Sequence, residues 1–414
     1  MLITTLTAQV DWEKYGANPI MEPGAPGTWN DYSLGQFCIL FDGSTYHMWF
    51  YGNDGTKERI GYASSLDGKI WIEYENNPVF NPGPAGSWED ELISNPYVLF
   101  DGSTYHMWYA GNDGTNTRIG YATSGDGIAW TRYEGNPVMD KGPAGSWESV
   151  GVWPDAIYYD GNTYHMWYGV DGGTNTESHI GYAFSTDGIT WTRYEGNPVL
   201  SQGIGEWDQA RIGGPHVLFH ANEYHMWYTG SDSGWMWGWD GVGYATSPDG
   251  KTWTKYESNP VLEPDAGAWD SQYAAFCRVL WDSTNSEFQM WYAGGSSDWY
   301  VKLGYATAQD SIPPINRIYD ELSTGLPNNF SLMQNYPNPF NPITVISWQL
   351  AVGSHVELCI YNILGQKIKT LLNKSMSAGY HEVEFKGQDL SSGIYLYRIE
   401  AGAWQDVKKM ILLR

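Results

Sequence analysis

Short runs of apolar and aromatic residues, separated by polar breaks, fill most of the first 310 positions of the chain. The second of its repeats shows the pattern clearly, with the runs YVLF, TYHMWYAG, RIGYATS and AWTRY separated by DGS, NDGTNT and GDGI. Each run is rich in aromatic or β-branched residues, and each break contains the Gly, Asp and Asn of tight turns. The pattern predicts four short antiparallel strands for each repeat.

The four-strand pattern occurs five times. The motif YHMW begins at Tyr46, Tyr105, Tyr164 and Tyr224, and a variant, FQMW, begins at Phe288. A tryptophan precedes each copy, at intervals of 59 to 62 residues: Trp29, Trp88, Trp147, Trp207 and Trp269. Repeated four-stranded modules of this length are typical of β-propeller blades. We therefore predict an all-β fold with a five-bladed β-propeller over residues 11–310.

The two ends of the repeat region complement each other. The fifth copy lacks its last strand, whereas DWEKYGANPI, from Asp11, aligns without a gap with IWIEYENNPV, from Ile70. An N-terminal strand is thus predicted to complete the fifth blade, which removes an open sheet edge.

The repeats also separate structural residues from candidate site residues. In a propeller the innermost strands line the central channel, and the long connections and strand entries share one face, which we call the site face. One site cannot use four equivalent copies of a group, so the histidines His47, His106, His165 and His225 and the SxDGxxW turns are predicted to be structural. The polar residues that differ between blades on the inner strands are the candidates: Asp31, Asp90, Glu91, Asp155, Arg211, His216 and Arg278.

A tryptophan-rich loop marks the fourth copy, on the predicted site face. The segment SDSGWMWGWDG contains Trp235, Trp237 and Trp239, and Trp153 lies on the third inner strand. Indole rings stack well on sugar rings, so these residues are candidates for glycan binding. Covering of a neighbouring blade by the same indoles stays an open alternative.

Charge and composition narrow the classes of ligand. The chain of 414 residues has 22 Lys and Arg against 47 Asp and Glu, a formal charge of −25. Nucleic acids need a basic surface, so they are excluded as ligands, and a neutral glycan is favoured. The loops lack the ligand density of a calcium loop; no cofactor is predicted, and a structural calcium ion stays open. The three cysteines do not form a framework, and Cys38 and Cys277 are predicted to be free thiols.

The inner-strand columns resemble those of five-bladed glycoside hydrolases, the arabinanase, β-xylosidase and arabinofuranosidase group, which is related to invertases and mannoside phosphorylases. That group carries a base in a DP motif, a modulator in PD and an acid in EGPH. The corresponding residues here read NP at Asn95–Pro96, PD at Pro154–Asp155 and GGPH from Gly213. Of the three carboxylates that the resemblance implies, only Asp155 is present.

The missing carboxylates leave three functional hypotheses. Inverting hydrolysis needs two carboxyl groups about 6.5–9.5 Å apart. The first hypothesis is a secreted glycoside hydrolase-like enzyme in which Asp155 works with Asp31, Asp90 or Glu91. The second is a glycan-binding propeller without catalysis, in which Asn95 contacts sugar, and the third is a structural surface protein. A monomer is predicted in each case.

The ends of the chain carry processing and export signals. No apolar run is long enough to span a membrane. MLITTLTAQV, residues 1–10, resembles the remnant of a signal peptide, and residues 311–327 read as a linker. Residues 328–414 predict a small immunoglobulin-like sandwich and resemble the C-terminal sorting domain of type IX secretion cargo, in NYPNPFNPITVISWQL, IYNILGQKIKTL, LSSGIYLYRI and KKMILLR. The resemblance implies export to the medium or the cell surface.

Overall fold

The computed structural model describes residues 11–171, 178–204, 206–221, 223–232, 239–282, 284–296, 300–309, 330–333, 335, 338, 340–402 and 404–413. All regular secondary structure in these residues is β-strand. The strands belong to two compact units, a propeller domain that contains β1 to β21 and a C-terminal domain that contains β22 to β28. The predicted all-β class is confirmed.

The propeller domain contains five sets of four antiparallel strands, which we call blades 1 to 5. A parallel pairing of Gly151 with Thr117 joins blades 2 and 3 into one nine-stranded sheet. Blade 1 contains β2 (Ser33–Phe41), β3 (Tyr46–Asn53), β4 (Glu58–Ser65) and β5 (Ile72–Glu73). Blade 2 contains β6 (Leu92–Phe100), β7 (Tyr105–Asn112), β8 (Thr117–Ser124) and β9 (Thr131–Arg132). Blade 3 contains β10 (Gly151–Tyr159), β11 (Tyr164–Asp171), β12 (His179–Ser185) and β13 (Thr192–Arg193), with the short β14 (Leu200–Ser201) also paired to β12.

Blades 4 and 5 complete the series. Blade 4 contains β15 (Arg211–His220), β16 (Glu223–Ser231), β17 (Gly241–Ser247) and β18 (Thr254–Lys255). Blade 5 contains β19 (Tyr273–Asp282), β20 (Glu287–Gly295), β21 (Lys302–Gln309) and, as its fourth strand, β1 (Glu13–Lys14). In β1, Glu13 pairs with Thr307 and Lys14 with Ala306. The N-terminal strand therefore supplies the strand that the fifth repeat lacks, as the sequence predicts.

Neighbouring blades are joined by a tryptophan of one blade and a turn of the next. Trp291 of blade 5 donates its indole N–H to the carbonyl oxygen of Gly68 in blade 1, at 2.7 Å. Gly68 has a φ of +71°, and a side chain at this position would lie 2.8 Å from the Trp291 ring, so only glycine fits. Trp49, Trp108 and Trp167 make the same bond to the glycine of the following turn. The SxDGxxW turns are therefore structural.

The recurrent histidines are structural as well. In each of the four blades the histidine Nδ1 lies 2.5–2.6 Å from a tyrosine hydroxyl on the third strand: His47–Tyr62, His106–Tyr121, His165–Tyr182 and His225–Tyr244. Each ring is thereby fixed within its own sheet.

The C-terminal domain is a sandwich of two antiparallel sheets. One sheet contains β22 (Ser331–Leu332), β23 (Ile343–Leu350) and β26 (Gly379–Lys386), and the other contains β24 (Ser354–Asn362), β25 (Lys367–Met376), β27 (Gly393–Ala401) and β28 (Trp404–Leu412). Every second residue of β23 is buried, the pattern of a strand with one face on a core. Trp348, Leu358, Tyr397 and Met410 are among the buried residues between the sheets.

Candidate functional site

A β-bulge interrupts the inner strand of every blade at the same level of the channel. The pairing of inner and second strands shifts by one residue between Leu34 and Phe37 in blade 1, and at equivalent places in the other four blades. A bulge turns a side chain out of the regular alternation of the strand. At this level the inner strands therefore direct residues toward a shared space.

The residues at the bulges line a cavity of about 200 Å³. Gln36, Asn95, Asp155, Gly214 and Phe276 contribute to it from blades 1 to 5 in turn. Trp153, Ser178, Arg211 and Trp239 also line it. The cavity is smaller than the roughly 300–1,000 Å³ of pockets for drug-sized ligands, so we expect it to accommodate one small residue of a larger ligand.

Two cavity residues have a strained backbone. Asn95 and Phe276 adopt positive φ values of 47° and 49°. This left-handed region is uncommon for residues other than glycine, and a bulky residue there is a clear outlier. Phe276 is held by a hydrogen bond from its backbone N–H to Thr229 Oγ1 at 2.8 Å. Strained residues cluster at functional sites because the surrounding structure must compensate for them.

Asp155 is the single carboxyl group among the described residues that line the cavity. Its side chain is buried, and Asn95 Nδ2 donates a hydrogen bond to its Oδ1 at 3.1 Å. Burial raises the pKa of Asp155 to about 7, against the opposing effects of the Arg278 charge, the Asn95 amide and the backbone N–H of Gly169. Near neutral pH the group is thus divided between its acid and its carboxylate form.

Gly169 makes room for the Asp155 carboxyl group. A side chain at Gly169 would place its Cβ 2.3 Å from Asp155 Oδ2. The equivalent second-strand residues of blades 1, 2, 4 and 5 all carry side chains: Tyr51, Ala110, Thr229 and Ala293. The glycine is therefore specific to the blade that holds the acid.

Below the cavity, two buried polar residues lie in the channel. His216 Nε2 lies 2.8 Å from the carbonyl oxygen of Val279, and burial together with the charge of Arg278 lowers the pKa of His216 to about 3, so the ring is neutral. Arg278 is 2% exposed and donates from Nη1 to the Cys277 carbonyl oxygen at 2.9 Å. Neither residue lines the cavity.

The aromatic wall of the cavity centres on Trp239. Its ring lies 5.3 Å from the ring of Phe276 in an edge-to-face arrangement, and the Arg211 guanidinium lies 4.3 Å from its centroid. Trp239 is therefore a wall of the cavity, as Trp153 is. Trp235 and Trp237 lie outside the described residues.

The structure does not bring Asp31, Asp90 or Glu91 to Asp155. Asp31 and Asp90 occupy equivalent turns, where each Oδ2 accepts a hydrogen bond of 2.6 Å from the backbone of Gly27 or Gly86. Glu91 is exposed and lies 3.1 Å from Lys57 Nζ. None of the three lines the cavity. These carboxylates lie in turns and on the surface because they precede the inner strands β2 and β6.

The cysteines are free thiols, as predicted. Cys38 accepts a hydrogen bond from the Val98 backbone N–H, and burial raises the pKa of the Cys38 thiol. Burial raises the pKa of Cys277 to about 12. Both thiols are therefore protonated and inert. Among the described residues, no group of three or more His, Cys, Asp and Glu side chains is arranged to hold a metal ion.

Several cavity residues escaped the comparison of inner-strand polar residues. Gln36, Ser178, Gly169 and Phe276 were not singled out, although the repeat alignment contains the signal for them. Gly169 differs from its four equivalents on the second strand, and Ser178 from its equivalents at the start of the third strand. The same comparison, extended beyond the inner strands, identifies Gly169 and Ser178, whereas Gln36 and Phe276 lie on the inner strands themselves.

Comparisons with known proteins agree with both domains. Residues 334–413 match the model of the secretion system C-terminal sorting domain. An uncharacterized protein of Mycobacterium tuberculosis is 26% identical over 281 residues, which is 64% of this chain and 88% of the relative. A 1,2-β-oligomannan phosphorylase of Thermoanaerobacter sp. is 26% identical over 206 residues, 47% of this chain and 62% of the relative.

Solved structures share the propeller fold. One of them represents glycoside hydrolases that target β-1,2-mannosidic linkages within the mannoside phosphorylase family; it has a TM-score of 0.58 and 18% identity, and covers 74% of this chain and 96% of its own. The chain thus combines a glycoside hydrolase-like propeller with a type IX sorting domain. The sorting domain directs the protein to the medium or the cell surface. In the part of the chain that the structure describes, no helix is long and apolar enough to cross a membrane.

Proposed function

We propose that the exported propeller recognises a glycan by binding one sugar residue in the cavity at Asp155. The observation that carries this proposal is the convergence of five bulged inner strands on one cavity that combines a carboxyl group, an amide and indole walls. Such a combination suits a sugar, whose hydroxyls need directed hydrogen bonds and whose ring faces pack on aromatic rings.

The geometry favours glycan binding alone over hydrolysis by a pair of carboxyl groups. Hydrolysis by inversion requires a second carboxyl group about 6.5–9.5 Å from the first. The three expected partners of Asp155 are held in turns or on the surface. Asn95, which hydrogen-bonds Asp155, cannot accept a proton as a base.

A screen of oligosaccharides, followed by calorimetry, tests this function. The probes are mannose, arabinose and xylose oligomers, and β-1,2-linked manno-oligosaccharides are included because relatives act on them. We expect saturable binding by the wild-type protein and a loss of at least tenfold in Asp155→Ala. Glu91→Ala, which alters an exposed carboxylate, is the control and retains full affinity. Absence of binding to every probe would contradict the proposal.

A second candidate function is phosphorolysis, which needs a single protein acid. The pKa of about 7 at Asp155 favours it, because a group with this pKa holds a proton to donate near neutral pH. In this reaction the glycosidic C–O bond breaks, Asp155 protonates the leaving oxygen, and a phosphate oxygen bonds to the anomeric carbon. Release of sugar 1-phosphate from β-1,2-mannobiose and inorganic phosphate, abolished in Asp155→Asn, would establish it. Glycan binding without release of sugar 1-phosphate would contradict phosphorolysis and support recognition as the only function.

A further inference from the structure

A group of tyrosines lies where blade 1 meets blade 5. Tyr32 and Tyr300 are 52% and 42% exposed, and Tyr51 and Tyr273 are half-buried. Together with the half-buried Glu58 they form what we call the tyrosine patch. Single exposed aromatic side chains are common on protein surfaces, whereas clusters of them are unusual and mark binding surfaces.

Contacts across the two blades hold the tyrosine patch together. The rings of Tyr32 and Tyr300 meet edge to face, with centroids 6.3 Å apart. The Leu34 N–H donates a hydrogen bond of 3.3 Å to the Val301 carbonyl oxygen and ties β2 to the segment that follows Tyr300. The segments that carry Tyr32 and Tyr300 are thus joined by a backbone hydrogen bond.

Tyr51 reaches over the inner strand of blade 1. Its phenol fills the space in which a side chain of Gly35 would lie, with Tyr51 Cζ only 1.9 Å from the position of that Cβ. Burial holds the pKa of Tyr51 well above its usual range, and the charges of Glu58 and Tyr273 act in the same direction. The Tyr51 ring therefore lies against β2 at Gly35.

Glu58 adds a hydrogen-bonding acid to the rings. It is the first residue of β4 and pairs with Asn53 at the end of β3. Burial raises the pKa of Glu58 to about 7, and a hydrogen bond with Asn53 opposes that rise. Rings beside a fixed polar group are suited to a sugar, since the ring packs on one face and the acid contacts a hydroxyl.

Residues of the tyrosine patch lie close along their strands to residues that line the cavity. Gln36, next to Gly35, lines the cavity, and so does Phe276, three residues along β19 from Tyr273. Ser178, which occupies in blade 3 the repeat position that Glu58 occupies in blade 1, lines it as well. A cavity of about 200 Å³ has room for little beyond one sugar residue, so a longer glycan must continue along a neighbouring surface.

We propose that the tyrosine patch is a second sugar-binding subsite, which takes the residues of the glycan that extend beyond the cavity. This inference rests on the proposed function, since it assigns the continuation of the same ligand.

Calorimetry with monosaccharides and trisaccharides of mannose, arabinose and xylose tests the subsite. For the sugar that binds, we expect the trisaccharide to bind at least tenfold more tightly than the monosaccharide. The double variant Tyr32→Ala/Tyr300→Ala should lose about tenfold in trisaccharide affinity, because two ring contacts are removed, and keep its monosaccharide affinity. Glu58→Gln should show a smaller loss for the trisaccharide alone.

Tyr133→Ala is the matched control, because Tyr133 is 40% exposed and belongs to the outer part of blade 2. Equal affinity of the wild-type protein for both lengths, or unchanged trisaccharide affinity in the double variant, would overturn the subsite and leave the cavity proposal intact. Failure of the wild-type protein to bind any sugar would instead contradict the proposed function and the subsite with it. A loss of monosaccharide affinity equal to the trisaccharide loss would also overturn the subsite.

Discussion

Two neighbouring residues, Asn95 and Gly169, determine the position and the hydrogen bonding of the Asp155 carboxyl group. Asn95, on the inner strand of the adjacent blade 2, hydrogen-bonds its carboxyl group, and Gly169 leaves the space that the group fills. Burial disfavours the charged form, whereas hydrogen bonds to the carboxylate favour it, and here burial prevails. The result is an acid that changes its protonation state in the neutral pH range.

Removing the acid should change how stability depends on pH. The folded-state pKa of Asp155 is about 7 and its ordinary value is 3.8, so between these values the folded protein binds more protons than the unfolded chain. Its free energy of unfolding therefore falls as pH rises through this range, and the full cost applies above about pH 7. At about 1.4 kcal/mol per pKa unit, the cost is at most about 4 kcal/mol.

Asp155→Asn should relieve that cost. Urea denaturation is expected to show that the stability of the variant relative to the wild type increases by about 3 kcal/mol between pH 5 and pH 8, because two pKa units separate pH 5 from the folded-state pKa of about 7. Asp126→Asn is the control, because backbone hydrogen bonds lower the pKa of Asp126 and its contribution does not change between these pH values. A difference that is the same at both pH values for Asp155→Asn would contradict the account.

Gly169→Ala should impair the site while the strand survives. The added methyl group would overlap the Asp155 carboxyl group, which must move away from Asn95. We expect glycan affinity to fall at least tenfold, measured by calorimetry. Alanine itself stands at the equivalent positions Ala110 and Ala293, so the backbone tolerates it. Ala110→Gly, the matched control, should leave affinity unchanged, and unaltered binding in Gly169→Ala would refute the assigned role.

At the scale of the element, the contribution of the inter-blade indole hydrogen bond to stability can be measured, because one blade has the tryptophan without the bond. Trp167 Nε1 donates to the Gly250 carbonyl oxygen at 2.7 Å. Trp227 holds the same position in blade 4, but the next blade is completed by β1 and has no such turn. Its ring meets Trp12 edge to face, and its buried Nε1 has no hydrogen-bond partner among the described residues.

The two tryptophans therefore predict unequal effects of the same substitution. Trp167→Phe and Trp227→Phe remove the same ring volume, but only the first removes an indole hydrogen bond, and the Gly250 carbonyl oxygen keeps its second bond, from Trp253 Nε1 at 3.1 Å. Trp167→Phe should destabilise the protein by about 1 kcal/mol more, the usual net value of such a bond. Chemical denaturation measures both variants. Equal losses would show that the bond contributes nothing to the joint between blades.

The strands and the role of β1 could be predicted because the same turn residues and aromatic runs recur in the sequence of each blade. The site could be predicted only in part, since Asp155, Asn95, Trp153, Arg211 and Trp239 line one cavity whereas the other candidate carboxylates do not. The other carboxylates precede the inner strands, and a comparison of inner-strand polar residues does not show which side chains a bulge turns inward. The Gly169 contact also depends on packing between two strands rather than on either strand alone.

At the scale of the whole molecule, the N-terminal strand is expected to be essential for the fifth blade. Lys14 Nζ lies 2.7 Å from Asp270 Oδ2, and the Asp270 side chain is fully buried. Deletion of residues 1–15 would expose the edge of β21 and leave that carboxylate with the Tyr292 hydroxyl but without its cationic partner, and loss of one partner of a buried ion pair costs about 3–5 kcal/mol. Thermal unfolding should show a clear loss of stability relative to deletion of residues 1–10. Equal stability of the two truncations would contradict the pairing of β1 with β21.

We expect the two domains to have separable roles, export for the sorting domain and glycan binding for the propeller. Deletion of residues 330–414 removes the sorting domain and should retain the protein inside a Gram-negative host that has the type IX apparatus, while the remaining propeller binds glycan with unchanged affinity. Cell fractionation and calorimetry on the truncated protein measure the two effects. Export of the truncated chain, or loss of its glycan binding, would contradict this division.

The most direct test of the central claim is a crystal structure of the protein in complex with the tightest-binding oligosaccharide of the screen. The account predicts a sugar residue in the cavity, with a hydroxyl within hydrogen-bond distance of the Asp155 carboxyl group and its ring against Trp153 or Trp239. A sugar bound on the face of the SxDGxxW turns, with the cavity at Asp155 unchanged, would contradict it.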